Sequence, residues 1–129
     1  MEVNGYRIEP EAQLMQAKLE GANLVGVDLS NSNLRSANLN GANLEDANLS
    51  EANMSWAKLE GANLSRANLI GACLVNANLK GATLDYVAVL YANFTNADLT
   101  DASLGNDFDF NEEGLDLTGA TMPDGTIHY

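Results

Sequence analysis

Residues 37–51 read ANLNG-ANLED-ANLSE, which is one five-residue unit repeated three times. The same unit extends well beyond this stretch. An apolar residue falls at every fifth position from Leu14 to Leu104, giving nineteen positions, of which sixteen are Leu. Two residues before each of them stands a small residue, which is Ala in sixteen of the nineteen units. So strict a register specifies a fold and indicates no reaction.

A period of five residues excludes both common regular structures. In an α-helix, with about 3.6 residues per turn, apolar positions five apart would point in all directions around the axis. In a flat strand the side chains alternate between faces, so an odd spacing would send successive Leu residues to opposite faces. The spacing is satisfied if the chain turns a corner once per unit, because the Leu and the small residue then share one interior.

Glycine spacing indicates how many sides make one turn. Glycine recurs at intervals of twenty residues at Gly21, Gly41, Gly61 and Gly81. Lys18 and Lys58 are forty residues apart, which also favours four sides of five residues, although some glycine pairs fit a spacing of fifteen. We number the sides by their first inward residue: Leu14, Leu19, Leu24 and Leu29. Coils stacked about 4.8 Å apart would form a rod of about five coils, roughly 24 Å long.

The register A-(N/D)-L-x-x resembles the pentapeptide repeat family over about three quarters of the chain. Residues 57–64 (AKLEGANL) and the tail at 121–126 (TMPDGT) look most like the many such proteins of cyanobacteria. The resemblance implies an all-β fold, a right-handed quadrilateral parallel β-helix with four repeats per coil. It also implies a non-enzymatic role, since a minority of the family resemble B-form DNA and bind DNA gyrase while most have no known biochemical activity.

The register divides the chain into four segments. Residues 1–10 precede it and are predicted to cover the first coil with Val3, Tyr6 and Ile8; residues 11–104 form the β-helix. Thirteen residues separate Leu104 from Leu117 where five would continue the pattern, so eight extra residues are predicted to leave the coil. An acidic insertion loop is therefore expected at 105–114, followed by final repeats and a tail at 115–129.

Inward positions define the predicted core, and the outward positions are polar. Six ladder residues represent that core: Leu14, Leu34, Met54, Leu59, Leu74 and Phe94. The outward residue before the inward one is Asn in ten of nineteen units, and stacked amides are expected to form ladders along the rod. Cys73 takes this position once and, as the single cysteine, excludes an internal disulfide.

The formal charge of −12 is unevenly distributed. Nine acidic and six basic residues precede residue 81, whereas nine acidic residues and no Lys or Arg follow it. Such a chain should be repelled by nucleic acid and by anionic membranes and could attract a basic partner. No apolar run approaches the ~20 residues of a membrane helix. Residues 1–10 show no signal-peptide pattern, so a cytoplasmic location is predicted.

Reactive groups are few. The chain has one His and one Cys, without a nucleophile–base pair, a phosphate loop or a His/Cys cluster, so neither enzymatic activity nor a cofactor is predicted. Asp107, Asp109 and Asn111 match the first three ligand positions of a calcium loop. Glu112 and Thr118 stand where the essential Gly and the bidentate Glu are expected, so these residues are only a weak metal candidate.

A few large apolar side chains interrupt the polar exterior. The interaction candidates are Ile70, Tyr86, Leu90, Tyr91, Phe108 and Phe110. In the four-sided register Ile70 stacks on Leu90, with a tyrosine at each neighbouring corner, and such patches usually mark a contact. The two phenylalanines of the insertion could instead fold back over Tyr86 and Leu90, and this cover is the favoured interpretation.

Two functions follow from these features. The first is a structural or protein-interaction module, a rigid acidic rod, monomeric or weakly dimeric, that presents side chains to an unidentified protein partner. The alternative is a DNA-mimic regulator that binds a topoisomerase such as DNA gyrase, which the acidity supports. A rod of roughly 24 Å equals only about seven base pairs of DNA, so a mimic would have to dimerise end to end.

Overall fold

The computed structural model describes all 129 residues, and its chain winds as a parallel β-helix. Parallel bridges join residues twenty positions apart, as in Lys18–Asn38 and Asn38–Lys58 on the second side. Most sides contribute a single bridge residue instead of a longer strand. The only two longer strands are β1 (Glu2–Val3) and β2 (Tyr6–Arg7), which pair antiparallel at the N-terminus.

Backbone hydrogen bonds tie each five-residue unit to the coils before and after it. The Leu39 N–H donates to the Lys58 carbonyl at 2.7 Å, and the Asn38 N–H donates to the Ala17 carbonyl at 2.9 Å. Within the unit, the Ala42 N–H donates to the Leu39 carbonyl at 3.0 Å and closes a tight turn. The same pattern recurs around the coil, so most backbone N–H groups of each unit are satisfied by backbone carbonyls.

Each turn places its third residue in the left-handed region, as a type II turn requires. Gly41 there has φ of 68°, and this is the conformation that glycine adopts most readily. Larger residues also occupy corners: Trp56 has φ of 64° and Tyr86 has φ of 59°. Side chains at these corners point away from the core, so the backbone fixes where exposed side chains are presented.

The interior is filled by alternating large and small side chains. All six residues predicted to represent the core are buried: Leu14, Leu34, Met54, Leu59, Leu74 and Phe94. The small positions pack between them, and most are buried Ala. Ser32 replaces one of these alanines and is buried with its hydroxyl unpaired. Val87 replaces another on the fourth side and is only half-buried.

The Asn that recurs in ten of the units acts within its own turn, so the prediction of amide ladders along the rod is wrong. In all ten units the Asn Oδ1 accepts a hydrogen bond from the backbone N–H two residues later, for example Asn63 from Ser65 at 3.0 Å. Only Asn33 donates its amide to another side-chain amide, that of Gln13 in the preceding coil, at 3.4 Å. The local bond prevails because it satisfies a turn N–H that no neighbouring coil reaches.

At the N-terminal end, the β1–β2 hairpin lies against the first coil. Ile8 is buried, and Val3 and Tyr6 pack against the core. The Lys18 N–H donates to the Tyr6 hydroxyl at 3.0 Å, and the Asn4 amide donates to the Lys18 carbonyl at 3.3 Å. Hairpin side chains therefore satisfy backbone groups that an earlier coil would otherwise have paired.

At the C-terminal end the register shifts by three residues, not by the eight expected. Asn93 bridges Asp116 and Asp98 bridges Thr121, an offset of twenty-three where the other coils have twenty. Leu117 consequently lies on the first side, and the segment between Leu104 and Leu117 replaces the fourth side of the last coil. The sequence count assigned Leu117 to the next side along the chain, because periodicity alone does not show that one side has lost its inward residue.

The C-terminal tail folds back on the last repeat. Thr121 bridges Ile127 in antiparallel orientation, and the Met122 N–H donates to the Thr126 carbonyl at 2.7 Å. Both ends of the rod thus finish in an antiparallel pairing that interrupts the parallel ladder. The structure contains no helix with the length and apolar character needed to cross a membrane.

Candidate protein-interaction surface

The fourth side near the C-terminus is where the regular pairing of coils ends. Its last bridge joins Asn68 to Ala88, and the backbone N–H groups of Tyr86 and Val89 have no backbone acceptor. The insertion occupies the space that another coil would fill. Apolar side chains on this side are therefore covered by the loop, covered by a partner, or left exposed to solvent.

Phe108 supplies the cover for part of this side. Its side chain is half-buried and packs against the edge of the core. Together with Ile70, Val87 and Leu90 it lines a cavity of about 340 Å³ between the loop and the fourth side. Ile70 and Leu90 are themselves half-buried, so the loop removes much of the predicted patch from solvent.

The insertion loop covers less of the predicted apolar patch than expected. Tyr86 is 68% exposed, so the expectation that the loop folds over it is wrong. Phe110 contacts Phe108, with ring centroids 4.9 Å apart, but faces the C-terminal end and is 47% exposed. Phe110 cannot reach Tyr86 because the short insertion replaces a whole side of the coil and continues toward Leu115.

Tyr91 fastens the far end of the loop. Its hydroxyl donates to Glu113 Oε1 at 2.6 Å, and its N–H donates to the Glu113 carbonyl at 2.8 Å. The ring lies directly over Gly114, where a Cβ would come within 2.1 Å of it, so only glycine fits there. The hydrogen bond to the Glu113 carboxylate raises the pKa of Tyr91. Tyr91 is thus held to the loop while Tyr86 makes no side-chain hydrogen bond.

The corner column that ends at Tyr86 carries an ion-pair cluster one coil earlier. Arg66 contacts Glu45 at 2.6 Å and Asp46 at 3.0 Å. The hydrogen bond and charge of Asp46, with the charge of Glu45, raise the pKa of Arg66. These groups are at least one-third exposed, so the cluster gives the rim of the surface a defined charge pattern and contributes little stability.

Acidic residues of the insertion do not converge on a metal position. Asp109 Oδ1 accepts the Asn111 N–H at 2.8 Å, which uses this carboxylate in a turn. No group of three His, Cys, Asp or Glu side chains is arranged to hold a metal ion. Asp107 is exposed beside them.

A second apolar groove opens at the C-terminal end of the rod. It encloses about 440 Å³ and is lined by Leu104, Phe110, Met122 and the tail around His128. Leu104 and Met122 retain slight exposure at its floor, unlike the ladder residues in the middle of the rod. The end of the solenoid is therefore covered incompletely by the tail.

Sequence reasoning missed one further surface. On the first three coils, Trp56 lies in an open groove together with Lys18, Arg35 and Lys58. The signal was present in the forty-residue interval between the two lysines, which places them in one column. That interval was used only to count the sides of the coil.

The β-helix with its polar, corner-displayed side chains defines a repeat solenoid, and comparison with known proteins identifies its family. The family profile described as Pentapeptide repeats matches residues 12–50 and 47–85, with eight copies. The chain belongs to the pentapeptide repeat family, which implies the right-handed quadrilateral form of the β-helix. A search of curated proteins found no match.

Solved structures similar to this chain include one from a plant and others from cyanobacteria. A pentapeptide repeat protein of the Arabidopsis thaliana thylakoid lumen shares 40% identity over 74% of this chain and 70% of its own, with a TM-score of 0.47. Rfr23 from the cyanobacterium Cyanothece 51142 shares 38% identity over 82% of this chain and 62% of its own, with a TM-score of 0.46. HetL of Nostoc, involved in heterocyst differentiation regulation, shares 32% identity over 95% of this chain and 65% of its own, with a TM-score of 0.37. This chain spans less than two thirds of both cyanobacterial proteins.

Proposed function

We propose that this chain is a non-enzymatic interaction module, a rigid acidic rod that presents side chains to a protein partner. The rod would have about five coils with four repeats per coil, in line with bridges between residues twenty positions apart. Its segments would be an N-terminal cap at 1–10, the β-helix at 11–104, the acidic insertion at 105–114, and the final repeats and tail at 115–129.

Tyr86 is the observation that carries this proposal. A large aromatic residue in the left-handed region is unusual, and the fold places glycine at many equivalent corners. Tyr86 is nevertheless 68% exposed, next to the half-buried Leu90 and above the charged Arg66 cluster. An aromatic residue surrounded by polar and charged groups is typical of the centre of a protein interface.

Other candidates play supporting roles in this proposal. Ile70, Leu90 and Phe108 would form the apolar floor beside Tyr86, and Tyr91 would hold the loop in place. Phe110 would contribute to the C-terminal groove, where a second copy could dock weakly. The protein would therefore be a monomer or a weak homodimer, without a cofactor, and sedimentation at increasing concentration measures this directly.

An affinity capture with matched variants tests the proposal. The rod would be used as bait in a lysate of the source cells, beside Tyr86→Ser and Trp56→Ser. Both variants remove one exposed corner aromatic, but from different faces. Proteins retained by the wild type and lost with Tyr86→Ser alone would support the surface around Tyr86. A wild-type rod that retains nothing above an unrelated acidic protein would contradict the interaction role.

The DNA-mimic regulator remains the alternative. Its support is the formal charge of −12 and the absence of any Lys or Arg after Lys80. The length of the rod and the cluster of three basic residues around Trp56 count against it. A supercoiling assay with DNA gyrase decides: inhibition by micromolar protein would favour the mimic, and unchanged supercoiling would remove it.

The remaining expectations concern nucleic acid, membranes and the cellular location. We propose no contact with nucleic acid or membrane, since the acidic surface would be repelled by both. The cytoplasmic location stays a prediction, and one similar structure is that of a thylakoid lumen protein. Cell fractionation with an antibody against the rod would assign the compartment.

A further inference from the structure

The three basic residues that lack a carboxylate partner all lie in one groove. The chain has six Lys and Arg residues, and three of them form ion pairs: Arg7, Arg66 and Lys80. The other three, Lys18, Arg35 and Lys58, line a groove of about 650 Å³ on the first three coils. We call this site the basic groove. Unpaired cations gathered on one face of so acidic a protein form a local positive field.

Trp56 stands in the basic groove as its single large hydrophobic side chain. It is the only tryptophan of the chain, it has φ of 64°, and it is 56% exposed. The left-handed region is strained for a residue that carries a Cβ. The side chain stays more than half exposed, so burial gives little reason for a tryptophan at this corner.

The spacing of the cations fits an extended chain better than a compact ligand. Lys18 and Lys58 lie in one column on the second side, with Asn38 bridged between them. They are two coil spacings apart, roughly 9.6 Å at about 4.8 Å per coil. A peptide in the extended polyproline II conformation has three residues per turn and advances about 3.1 Å per residue, so side chains three residues apart share one face and match this interval. Small-molecule sites are enclosed and mostly apolar, whereas this groove is open and has one hydrophobic lining residue.

We propose that the basic groove binds an acidic peptide segment of a partner protein. Carboxylates of the segment would pair with Lys18 and Lys58, and an apolar side chain between them would pack on Trp56. Arg35 would widen the positive field at the rim. The inference rests on the proposed function only in that the ligand is a protein; it uses a different face from Tyr86.

A short peptide suits the charge distribution better than a nucleic acid. The whole chain carries −12 and would repel a long polyanion. At physiological salt, charges more than about 8 Å apart are largely screened, so a short segment does not sense the acidic residues of the later coils. The acidic residues after Lys80 lie on later coils, beyond this distance from most of the groove. Of the nearer carboxylates, those of Glu20 and Glu60 form no ion pair with Lys18 or Lys58.

Trp56 fluorescence tests the inference directly, because this side chain is the only tryptophan in the chain. The probe, called the Glu-Leu peptide, is a synthetic repeat of the unit Glu-Leu-Pro, which places a Glu at every third position, and it is titrated into the intact protein. We expect a saturable change in Trp56 emission that weakens as salt is added. The same peptide with Gln in place of Glu should cause no change.

Charge-reversal variants locate the site. Lys58→Glu should weaken the binding of the Glu-Leu peptide by about tenfold or more, because it replaces an attraction with a repulsion. Lys80→Glu changes the net charge equally but lies outside the groove, so it should leave the affinity within about twofold. Both variants should remain folded, and only Lys80→Glu should unfold at a slightly lower denaturant concentration because it gives up the exposed ion pair with Asp98, which separates binding from folding.

Several results would overturn the inference. One is unchanged Trp56 emission at millimolar peptide, and another is equal binding of the Gln peptide. Tighter binding of a DNA oligonucleotide would assign the groove to nucleic acid. Self-association that Lys58→Glu abolishes would mean that the acidic half of a second copy occupies it. A failed titration beside a Tyr86-dependent capture would reject the groove and leave the proposed function intact.

Discussion

The second and fourth sides of the rod carry the same five-residue register, yet they end differently. On the second side, bridges run without interruption from Lys18 to Thr121. On the fourth side they stop at Ala88, and Val87 and Val89 stand where other units have Ala and Leu. The difference shows that the register alone stabilises a side only while another coil pairs with it. Beyond that point, loop side chains such as Phe108 must replace the missing coil.

The largest contrast between the two sides should appear in truncations of inward residues. Leu59 lies mid-rod on the second side, fully buried between coils, so Leu59→Ala should lower the free energy of unfolding by about 2–5 kcal/mol. Val89→Ala on the fourth side removes less apolar volume, and the loop can settle into the space, so about 1–2 kcal/mol is expected. Urea denaturation measures both.

The outward residue Asn63 provides the matched control for these truncations. Its Oδ1 accepts a turn hydrogen bond from the Ser65 N–H, and its amide donates a long hydrogen bond to Glu45 Oε2 at 3.3 Å, so Asn63→Ala should cost only about 1 kcal/mol. Equal losses for Leu59→Ala and Asn63→Ala would refute the assignment of inward and outward positions.

The next largest difference between the second and fourth sides should appear when the small inward residue is changed in size. Ala57 is buried on the second side, so Ala57→Val should destabilise by about 1–3 kcal/mol. Val87→Ala on the fourth side trims a half-buried side chain and should cost less than about 1 kcal/mol. Thermal melts of the two variants test this, and a neutral Ala57→Val would mean that the second side has room to spare.

The loop cover should affect association more than stability. Phe108→Ser would expose Ile70 and Leu90, so the variant should self-associate in sedimentation at concentrations where the wild type does not. Phe110→Ser is the matched control, since this ring faces the C-terminal groove. A monomeric Phe108→Ser variant would show that the loop does not shield the fourth side.

The smallest expected effect concerns pH on the well-paired second side. Partial burial favours the neutral form of Asp98, but hydrogen bonds from Thr100 and the charge of Lys80 outweigh it and lower the Asp98 pKa. A carboxyl group with a lowered folded pKa adds stability above its unfolded value, near 3.8, and this stability is lost as pH falls through the folded pKa. Wild-type stability should therefore decline below about pH 4.

Asp98→Asn tests this origin because Asn makes the same turn hydrogen bond in ten other units without titrating. The variant should be slightly less stable than the wild type near neutral pH, because it lacks the ion pair with Lys80, and should lose less stability on acidification. An identical acid dependence in melts from pH 7 to 3 would assign the loss to other carboxylates.

The sequence was sufficient to predict the coil but not its termination. A five-residue period with Leu and Ala at fixed positions is satisfied by a coil that turns once per unit, so the core residues can be predicted from the spacing. The loop has no such period, and the count from Leu104 to Leu117 could not reveal that a whole side was replaced. The asparagine ladder failed for a similar reason, since stacking and local turn bonding require the same residue at the same spacing.

The candidate surface was predicted only in part. Periodicity placed Ile70 and Leu90 in one column, and the structure has them adjacent to one cavity. The reach of Phe110 and the hydrogen bond between Tyr91 and Glu113 depend on the path of the insertion, which has no counterpart in the repeat. The basic groove joins residues from three coils, so it becomes visible only once the columns are wound together.

Because bridged positions are twenty residues apart, the rod keeps its columns aligned only when its length changes by whole coils of twenty residues. Removing residues 62–81 would join Gly61 to Ala82 and leave every inward column in phase. Trp56 and Tyr86 would then lie one coil spacing, about 4.8 Å, closer along the axis, with neither rotated around it. Gain or loss of whole coils could thus tune the separation of two bound partners while the chemistry of each contact stayed the same.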